Sequence, residues 1–490
     1  MSNTKTSPRA RGILMHVSSL PGEYGCGSFG AAAVEFIDLL AKCGYTYWQT
    51  LPFGVPDRSG SPYKSYSAFA GNPLFIDLQT LYREGLITDR ERLDEAERCR
   101  EMQYRCAFAE LTAPRYTLLK RASSRVSPDR AAQIEAFIAA HRPLSEFCEF
   151  MAIYHPTVDI SNQEEQSAEL FFWKFTQHAF FTQWKSIRDY ANARGIKIIG
   201  DIPIYVDLDS ADVHYHPELF LLDRERRPEA VSGVPPDYFS PDGQMWGNPL
   251  YNWHRMKEDG YSWWCERVRF QLEIFDGLRI DHFRGLSAYF AIPADAPNAK
   301  SGKWVKGPGM ALIRKLREVA GDALIIAEDL GEIDEAAAKL VRDSGFPGMR
   351  VFQFAFLDAD NPHLPHHYPE NCVAYSGTHD NTTLLAYVYE MDESTRSRMM
   401  DYIGYHGHPL QCSDAILRTI SRSAANLVIF PIQDILGYGV DTRMNVPGVP
   451  EGNWGFRVTR EQLATIDTAY RRHVGALYGR CATDTPSELP

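Results

Sequence analysis

Eight short apolar runs constrain the fold of this chain more than any other feature of its sequence. Short apolar runs bounded by Gly or polar residues are typical of fully buried strands. The runs cover residues 12–20, 45–53, 196–206, 277–283, 324–330, 349–356, 372–380 and 426–436. Helical stretches separate most of them, with helices predicted over residues 31–42, 310–319, 332–343 and 413–425. This alternation predicts a parallel sheet, and eight β-α units close into a (β/α)8 TIM barrel.

Two connections are too long for simple crossovers, although the whole chain, residues 1–490, is predicted to be organised around the barrel. Residues 54–195 and 207–276 follow the second and third strands, and long structureless loops are rare in compact domains. We therefore predict two inserted subdomains above the C-terminal face of the barrel. The first includes a charged helical stretch at about residues 80–147, and the second carries a loop rich in Pro, Gly and aromatic residues at 231–249.

The segment at residues 171–184 is strongly aromatic and can be interpreted either as a binding platform or as part of a core helix. Phe172, Phe175 and Trp184 recur with helical spacing, and the predicted helix precedes a strand. We therefore predict that these rings pack in the core.

Charge and cysteine content exclude several classes of partner. The formal net charge is -12, whereas a protein that follows a phosphate backbone needs a basic excess, so no nucleic-acid partner is predicted. No apolar run approaches the roughly 20 residues of a membrane span, and the first residues lack the apolar core of a signal peptide.

The 9 cysteines include no C-x-x-C pair, which disfavours disulfides and zinc and favours a cytoplasmic location. The sequence leaves the oligomeric state open.

Three of the apolar runs carry an acid near their ends, and these acids are Asp281, Glu328 and Asp380. Active sites of TIM barrels lie at the C-terminal ends of the strands, so the three carboxyl groups are expected to converge on one pocket. Arg279 lies two residues before Asp281 and therefore on the same face of the strand. An arginine beside an aspartate keeps the carboxylate ionised, which suits a covalent nucleophile.

The other two acids are predicted to have different roles. Partial burial at the end of an apolar strand would raise the pKa of Glu328 and suit it to general acid–base catalysis. Asp380, which follows His379, is then left to bind substrate hydroxyls and to stabilise positive charge.

These acid-bearing motifs also have structural and metal-binding interpretations. A lone Arg-x-Asp is usually a structural ion pair, and a lone His-Asp is usually a cap or a turn. Barrel enzymes of the enolase type present carboxylates from successive strand ends to hold Mg²⁺, together with a lysine or histidine base. The remaining strand ends here offer Asp201 and Asp434 but no lysine, and Arg279 already balances the charge. No metal and no cofactor are therefore predicted.

Taken together, Gly-x-Arg-x-Asp at residues 277–281, the isolated Glu328 and the pair His379-Asp380 resemble the signature regions of the α-amylase clan. Asp201 resembles the remaining region. Within the clan, the chain resembles the 4-α-glucanotransferases of glycoside hydrolase family 77, also called amylomaltases or disproportionating enzymes. The specific matches lie at residues 61–63, 66–73, 233–240, 244–249, 445–448 and 452–454, so the resemblance covers nearly the whole chain.

The resemblance implies retaining transfer of α-1,4-glucan segments from a donor maltooligosaccharide or starch to the 4-hydroxyl of an acceptor glucose or glucan. Asp281 matches the nucleophile, Glu328 the acid/base and Asp380 the transition-state stabiliser, and retention requires the first two carboxyl groups to lie about 5–5.5 Å apart. The residues that match substrate-binding positions are Arg279, His379, Tyr63, Asp201, Tyr238, Trp246 and Asn453.

Tyr238 and Trp246 belong to the loop at residues 231–249, which the resemblance identifies as a flexible lid on the acceptor side. Such a lid can exclude water and offer aromatic rings to sugar faces. Clan hydrolases often carry a histidine after their first signature aspartate and bind calcium nearby, whereas residues 204–205 are Ile-Tyr here, as in metal-free members. A hydrolase of the same clan, a non-catalytic glucan-binding protein and a metal-dependent lyase are the alternatives at this point.

Overall fold

A closed barrel of eight parallel strands forms the centre of the fold, which confirms the predicted TIM barrel. The computed structural model describes residues 9–57, 59–236, 241–358, 360–449 and 451–481. The strands are β1 (Ala10–Leu14), β2 (Tyr47–Gln49), β3 (Lys197–Ile202), β4 (Ala230–Val234), β5 (Gln244–Pro249), β6 (Gly277–Ile280), β7 (Ala288–Pro293), β8 (Lys303–Lys306), β9 (Leu324–Ala327), β10 (Gly348–Val351), β11 (Cys372–Tyr375) and β12 (Leu427–Pro431). The order around the barrel is β1-β12-β11-β10-β9-β6-β3-β2.

The barrel strands end earlier than the apolar runs predicted. The run at 426–436 is a strand only as far as Pro431, after which Ile432–Leu436 form a short helix that is also largely buried. The run at 372–380 likewise ends as a strand at Tyr375. Apolar residues beyond the last ladder bond still pack against the barrel, so hydrophobicity continues after the extended conformation has ended. Asp380 therefore reaches the barrel mouth from a loop rather than from a strand.

The helices surround the barrel and fill the long connection between β2 and β3. They are α1 (Ala31–Cys43), α2 (Leu78–Arg83), α3 (Asp89–Arg98), α4 (Phe108–Ser123), α5 (Pro128–Ala139), α6 (Arg142–Tyr154), α7 (Gln163–Asn192), α8 (Ala211–Tyr215), α9 (Trp253–Glu258), α10 (Ser262–Ile274), α11 (Met310–Ala320), α12 (Glu335–Ser344), α13 (Leu384–Glu390), α14 (Glu393–Ile403), α15 (Ser413–Arg422), α16 (Ile432–Leu436), α17 (Arg460–Ala464) and α18 (Thr468–Leu477). The four predicted helices correspond to α1, α11, α12 and α15. Among the helices in the described part of the chain, none combines the length and apolar composition that crossing a bilayer requires.

Helices α2 to α6 lie within the segment of residues 54–195, and buried ion pairs help to join them to one another and to α7. Arg115 of α4 contacts Glu95 of α3 at 2.9 Å, and both side chains are buried. Lys120 of α4 pairs with the fully buried Glu169 of α7. A buried pair that lost one partner would leave an uncompensated charge, so these contacts fix the helices relative to one another.

A second, four-stranded antiparallel sheet in the order β5-β4-β7-β8 lies outside the barrel. Strands β4 and β5 come from the loop at residues 231–249, and β7 and β8 follow barrel strand β6. No strand was predicted for the segment of β7 and β8. The sheet therefore joins the predicted lid to the chain that follows Asp281. The prediction of two separate insertions did not include this connection.

The aromatic segment at residues 171–184 packs in the core, as predicted. Phe172, Phe175 and Trp184 lie on α7 and are at most 1% exposed. The Trp184 ring lies against Trp48 of β2, with centroids 6.2 Å apart, and its Nε1 donates to the carbonyl oxygen of Ile274 at 2.8 Å. This contact anchors the long helix directly on the barrel wall.

We expect the substitution Trp184→Ala to lower the free energy of unfolding by about 3–5 kcal/mol, because it leaves a large cavity between α7 and the barrel. Trp184→Phe keeps most of the ring contacts and loses mainly the indole hydrogen bond, so it should cost about 1–3 kcal/mol. Urea denaturation followed by circular dichroism measures both values. Equal stabilities of W184A and the wild type would contradict the core assignment.

Candidate active site

Two of the predicted catalytic acids occupy adjacent positions on neighbouring barrel strands. Asp281 directly follows β6 and Glu328 directly follows β9. Ile280 is in register with Ala327, and the Glu328 N–H donates to the Ile280 carbonyl oxygen at 3.1 Å. Neighbouring strands lie about 4.8 Å apart, so the two acids lie side by side at the C-terminal face of the barrel.

Arg279 is a buried cation that bridges two carboxylates. Its Nη1 lies 2.7 Å from Oδ2 of Asp201, and its Nη2 lies 2.8 Å from Oδ1 of Asp281. Asp201 and Arg279 are register partners on β3 and β6, which explains the first contact. The second contact confirms that Arg279 and Asp281 point to the same side. Burial alone would lower the pKa of Arg279, but the two aspartates outweigh it, so its pKa lies well above the ordinary value.

Glu328 is buried, and burial raises its pKa to about 8. Arg279 acts on this pKa in the opposite direction and Asp281 in the same direction. The carboxyl group also accepts the N–H groups of His282 at 2.6 Å and Leu330 at 2.9 Å, which fix its orientation. At neutral pH Glu328 is therefore held protonated beside an aspartate that is paired with a guanidinium.

His282, the residue after Asp281, has a left-handed backbone conformation with φ 46 and ψ 47. This region is uncommon for a residue with a side chain and is maintained only where the surroundings enforce it. The conformation directs the His282 N–H to Glu328 and turns the chain into the 3-10 helix Phe283–Leu286. The strained backbone of His282 thus allows the hydrogen bond that connects the chain after Asp281 to the carboxyl group of Glu328.

Asp380 lies on a tight loop that is fixed by hydrogen bonds at its base and at its tip. At the base, Asp434 accepts Ser376 Oγ at 2.5 Å and the Leu384 N–H at 2.7 Å. At the tip, Asn445 Nδ2 donates to Asp380 Oδ1 at 2.6 Å. Asp434, which lies near the end of a predicted strand, is thus a structural residue, and burial raises its pKa to about 6.

His379 forms one wall of the site together with two other rings. Its imidazole is stacked on Tyr63 with a centroid distance of 5.1 Å, and its Nε2 lies 3.3 Å from Asp380 Oδ2. The Tyr63 hydroxyl donates to Asp201 at 2.7 Å. Trp454, whose φ is 66, lies within 6 Å of both rings. The structure therefore brings the predicted residues Tyr63, Asp201, Arg279 and His379 together around the acids.

The predicted lid at residues 231–249 contains Trp246, which lies on β5 with its ring against His282 at a centroid distance of 4.9 Å. Its indole Nε1 donates to Gln244 at 3.1 Å, and the ring remains partly exposed. This segment therefore contacts the residue that follows Asp281. Tyr238, the other predicted lid residue, lies outside the described residues.

Asn453, which is predicted to bind substrate, directs its side chain to the backbone of its own loop. Its Oδ1 accepts the Val446 N–H at 2.9 Å, and its Nδ2 donates to the Val449 carbonyl oxygen at 2.7 Å. The side chain therefore braces its own loop. Two neighbours of the site, Asn445 and Trp454, lie within the matching motifs but were not predicted as site residues.

Within the described residues, the structure contains no group of three or more His, Cys, Asp or Glu side chains arranged to hold a metal ion. What the site does contain is a buried carboxyl group with a raised pKa at Glu328, an ion-paired side chain at Asp281 and a third acid at Asp380. The side chains of Asp281 and Asp380 are 29% and 42% exposed, so both are open to a ligand. Such a set suits a double displacement with one nucleophile and one acid–base group.

Comparison with known proteins gives one consistent result. The family model described as 4-alpha-glucanotransferase matches residues 15–462. The 4-alpha-glucanotransferase of Clostridium butyricum is 40% identical over 499 aligned residues, which cover 95% of this chain and 100% of that protein. The 4-alpha-glucanotransferase of Thermus thermophilus is 41% identical and covers 93% of this chain and 96% of its own. The amylomaltase from Streptococcus agalactiae, solved in complex with acarbose, has a TM-score of 0.90 at 36% identity, with 97% and 100% coverage.

We expect the free energy of unfolding of Glu328→Gln, relative to that of the wild type, to increase as pH rises from 4.5 to about 8. In that window the unfolded chain has released the Glu328 proton, whereas the folded protein still holds it, so the folded wild type loses stability. The gap between variant and wild type should grow by roughly 2–4 kcal/mol across the window.

Urea denaturation below, within and above this window measures the gap. Gln accepts one fewer N–H than the carboxyl group, which adds an offset that is independent of pH, so only the change with pH is diagnostic. A gap that stays constant over the window would contradict a buried, protonated Glu328.

Proposed function

The chain belongs to the 4-alpha-glucanotransferase family, glycoside hydrolase family 77, and from this premise we propose how its own residues carry out the transfer of α-1,4-glucan segments. One observation carries the assignment of roles. Arg279 is paired with Asp281, whereas the adjacent Glu328 is buried and has a raised pKa. Two neighbouring acids in opposite protonation states are what a retaining glycoside mechanism needs.

In the first step, Asp281 attacks the anomeric carbon of the donor glucan while Glu328 gives its proton to the leaving glycosidic oxygen. The bond between that carbon and the leaving oxygen breaks, a glycosyl ester forms on Asp281, and the shortened chain departs with the proton. Asp380 stabilises the positive charge that develops on the sugar ring. The Asp281 carboxylate is 29% exposed and can therefore reach the carbon from the open side of the pocket.

In the second step, the 4-hydroxyl of an acceptor glucose displaces Asp281. Glu328, which is now ionised, takes the proton of that hydroxyl, and the new glycosidic bond forms with retained configuration. The adjacency of Asp281 and Glu328 on neighbouring strands supports a carboxyl separation of about 5–5.5 Å, which is the value for retaining enzymes. That separation remains a prediction of this mechanism.

Transfer to a sugar rather than to water requires that the glycosyl ester survive until an acceptor binds. We propose that the lid meets this requirement by excluding water from the pocket. Its strands β4 and β5 are in one sheet with β7, and β7 follows the nucleophile loop in the chain. Trp246 offers a partly exposed ring beside His282 for stacking on the acceptor. We propose the same role for Tyr238, which lies outside the described residues.

For the donor side, we propose that Tyr63, His379, Arg279 and Asp201 bind the sugar at the cleavage point. The stacked rings of Tyr63 and His379 provide an aromatic face, and the charged pair behind them provides fixed partners for hydroxyl groups. The solved relative from Streptococcus agalactiae holds acarbose. We propose that maltooligosaccharides and longer α-1,4-glucans are the ligands of this pocket.

We also propose that residues 54–195 and 207–276 act as cleft-shaping insertions around a catalytic barrel. We propose a cytoplasmic location because the free, largely buried thiols of this chain suit a reducing compartment. These two proposals are independent of the catalytic mechanism and need separate tests.

Incubation of the protein with maltotriose alone should yield glucose together with a ladder of longer chains, because one maltotriose serves as donor and another as acceptor. Chromatography of the products distinguishes this outcome from hydrolysis, which yields only shorter chains. Unchanged maltotriose would indicate a protein that binds glucans without catalysis. Prior treatment with EDTA should leave the ladder unchanged, and its loss would favour the metal-dependent alternative.

Asp281→Asn should reduce the rate of transfer by about 10³-fold or more, because the amide cannot form the glycosyl ester. Asp322→Asn is a matched control, since Asp322 is exposed and precedes β9 at the opposite end of the barrel. The control should transfer at the rate of the wild type. Activity of D281N within tenfold of the wild type would overturn the nucleophile assignment.

A further inference from the structure

Residues 443–445 hold the loop of Asp380 through three hydrogen bonds that the catalytic assignment does not use. The Asn445 side chain donates from Nδ2 to Oδ1 of Asp380 at 2.6 Å. Its backbone N–H donates to the His379 carbonyl oxygen at 3.1 Å. Arg443 Nη2 donates to the Asp380 carbonyl oxygen at 2.5 Å. We call residues 443–445 the clamp.

The two polar side chains of the clamp bind different parts of Asp380. The cation, Arg443, binds the main chain of Asp380, whereas the neutral amide of Asn445 binds the carboxylate. Asp281, by contrast, is paired directly with the guanidinium of Arg279. A carboxylate that must stabilise positive charge on a sugar is most effective when its own negative charge is not cancelled by a fixed cation. The charge of Arg443 acts on Asp380 through space, but the hydrogen bond that fixes the carboxylate comes from the amide of Asn445 and not from a cation.

The clamp itself is held rigidly. Arg443 Nε donates to the Asn445 carbonyl oxygen at 2.7 Å, and the Trp454 N–H donates to the Met444 carbonyl oxygen at 2.7 Å. Asn453 braces the intervening loop through the backbone of Val446. Trp454 also contacts the ring of His379, so the clamp is connected to the rings that line the site.

We infer that Asn445 is a positioning residue, which fixes the carboxylate of Asp380 in the orientation that stabilises the transition state of both transfer steps. This inference rests on the proposed role of Asp380. The two carboxylate oxygens then have distinct neighbours, Asn445 at Oδ1 and His379 at Oδ2. Rotation of the carboxyl group away from the sugar would break the 2.6 Å bond to Asn445.

Asn445→Ala should lower kcat for maltotriose transfer by about 10- to 100-fold, the effect of losing a hydrogen bond to a charged group. KM should change by less than about threefold, because the lost orientation matters most in the transition state. The backbone N–H of residue 445 still holds the His379 carbonyl oxygen in this variant. A rise in KM at unchanged kcat would instead assign Asn445 to ground-state substrate binding and overturn the inference.

Asn445→Asp keeps the shape of the side chain but places a second carboxyl group against Asp380. Two carboxyl groups in contact share a proton, so the acid limb of the pH–rate profile should move upward by about one unit or more. Asn453→Ala is the control, because it loosens the same loop without touching an acid. N453A should keep the acid limb of the wild type whatever its rate, and an identical shift in N445D and N453A would reduce Asn445 to a structural role.

A double-mutant cycle with Asp380→Asn closes the test. If Asn445 acts through Asp380, then adding N445A to D380N should change the rate by less than about threefold, although N445A alone costs about 10- to 100-fold. A full additive loss in the D380N background would overturn the inference and leave the role of Asp380 intact. Near wild-type activity of D380N alone would instead refute the proposed function of Asp380, and the inference with it.

Discussion

The ion pairs of Arg279 are the interaction on which the rest of the site depends. A buried guanidinium is costly unless it is fully paired, and here it bridges Asp201 and Asp281 at 2.7 and 2.8 Å. Burial raises the pKa of the adjacent Glu328, with Asp281 acting in the same direction and Arg279 in the opposite one. The division between nucleophile and acid therefore follows from the direct pairing of Arg279 with Asp281, from the burial of Glu328, and from the register between β3, β6 and β9 that places these groups.

The barrel brings together side chains that are far apart in the sequence. Tyr63, Arg279, His379 and Trp454 come from distant parts of the chain, yet they meet at one site, because the carboxyl ends of parallel strands open on the same face. The segment predicted to form a lid, residues 231–249, is also connected to this site. Its strands β4 and β5 are in one sheet with β7, which starts shortly after the nucleophile loop, so the position of Trp246 and the path of the chain after Asp281 are linked.

Much of this arrangement could be predicted from sequence, and the exceptions have physical reasons. The barrel, the Arg279–Asp281 contact and the burial of Glu328 follow from periodicity and strand ends, which are local patterns. The strand limits were wrong because apolar residues such as Ile432 remain buried after the ladder ends. Asn453 and Asn445 sit near each other in related motifs, and only the fold shows that the first binds backbone whereas the second binds Asp380. The pairing of β7 with β4 depends on contacts far apart in the chain, which no local pattern reveals.

Covalent catalysis by Asp281, with Glu328 as the acid and base, is tested most directly by trapping the proposed glycosyl ester. E328Q is mixed with a glycosyl fluoride donor, whose leaving group needs no proton, and the protein is digested and analysed by mass spectrometry. We predict that the ester accumulates, since its breakdown lacks a base, and that the added sugar maps to the peptide containing Asp281. A sugar on another carboxyl group, or consumption of the donor with no covalent adduct at any time, would contradict this mechanism.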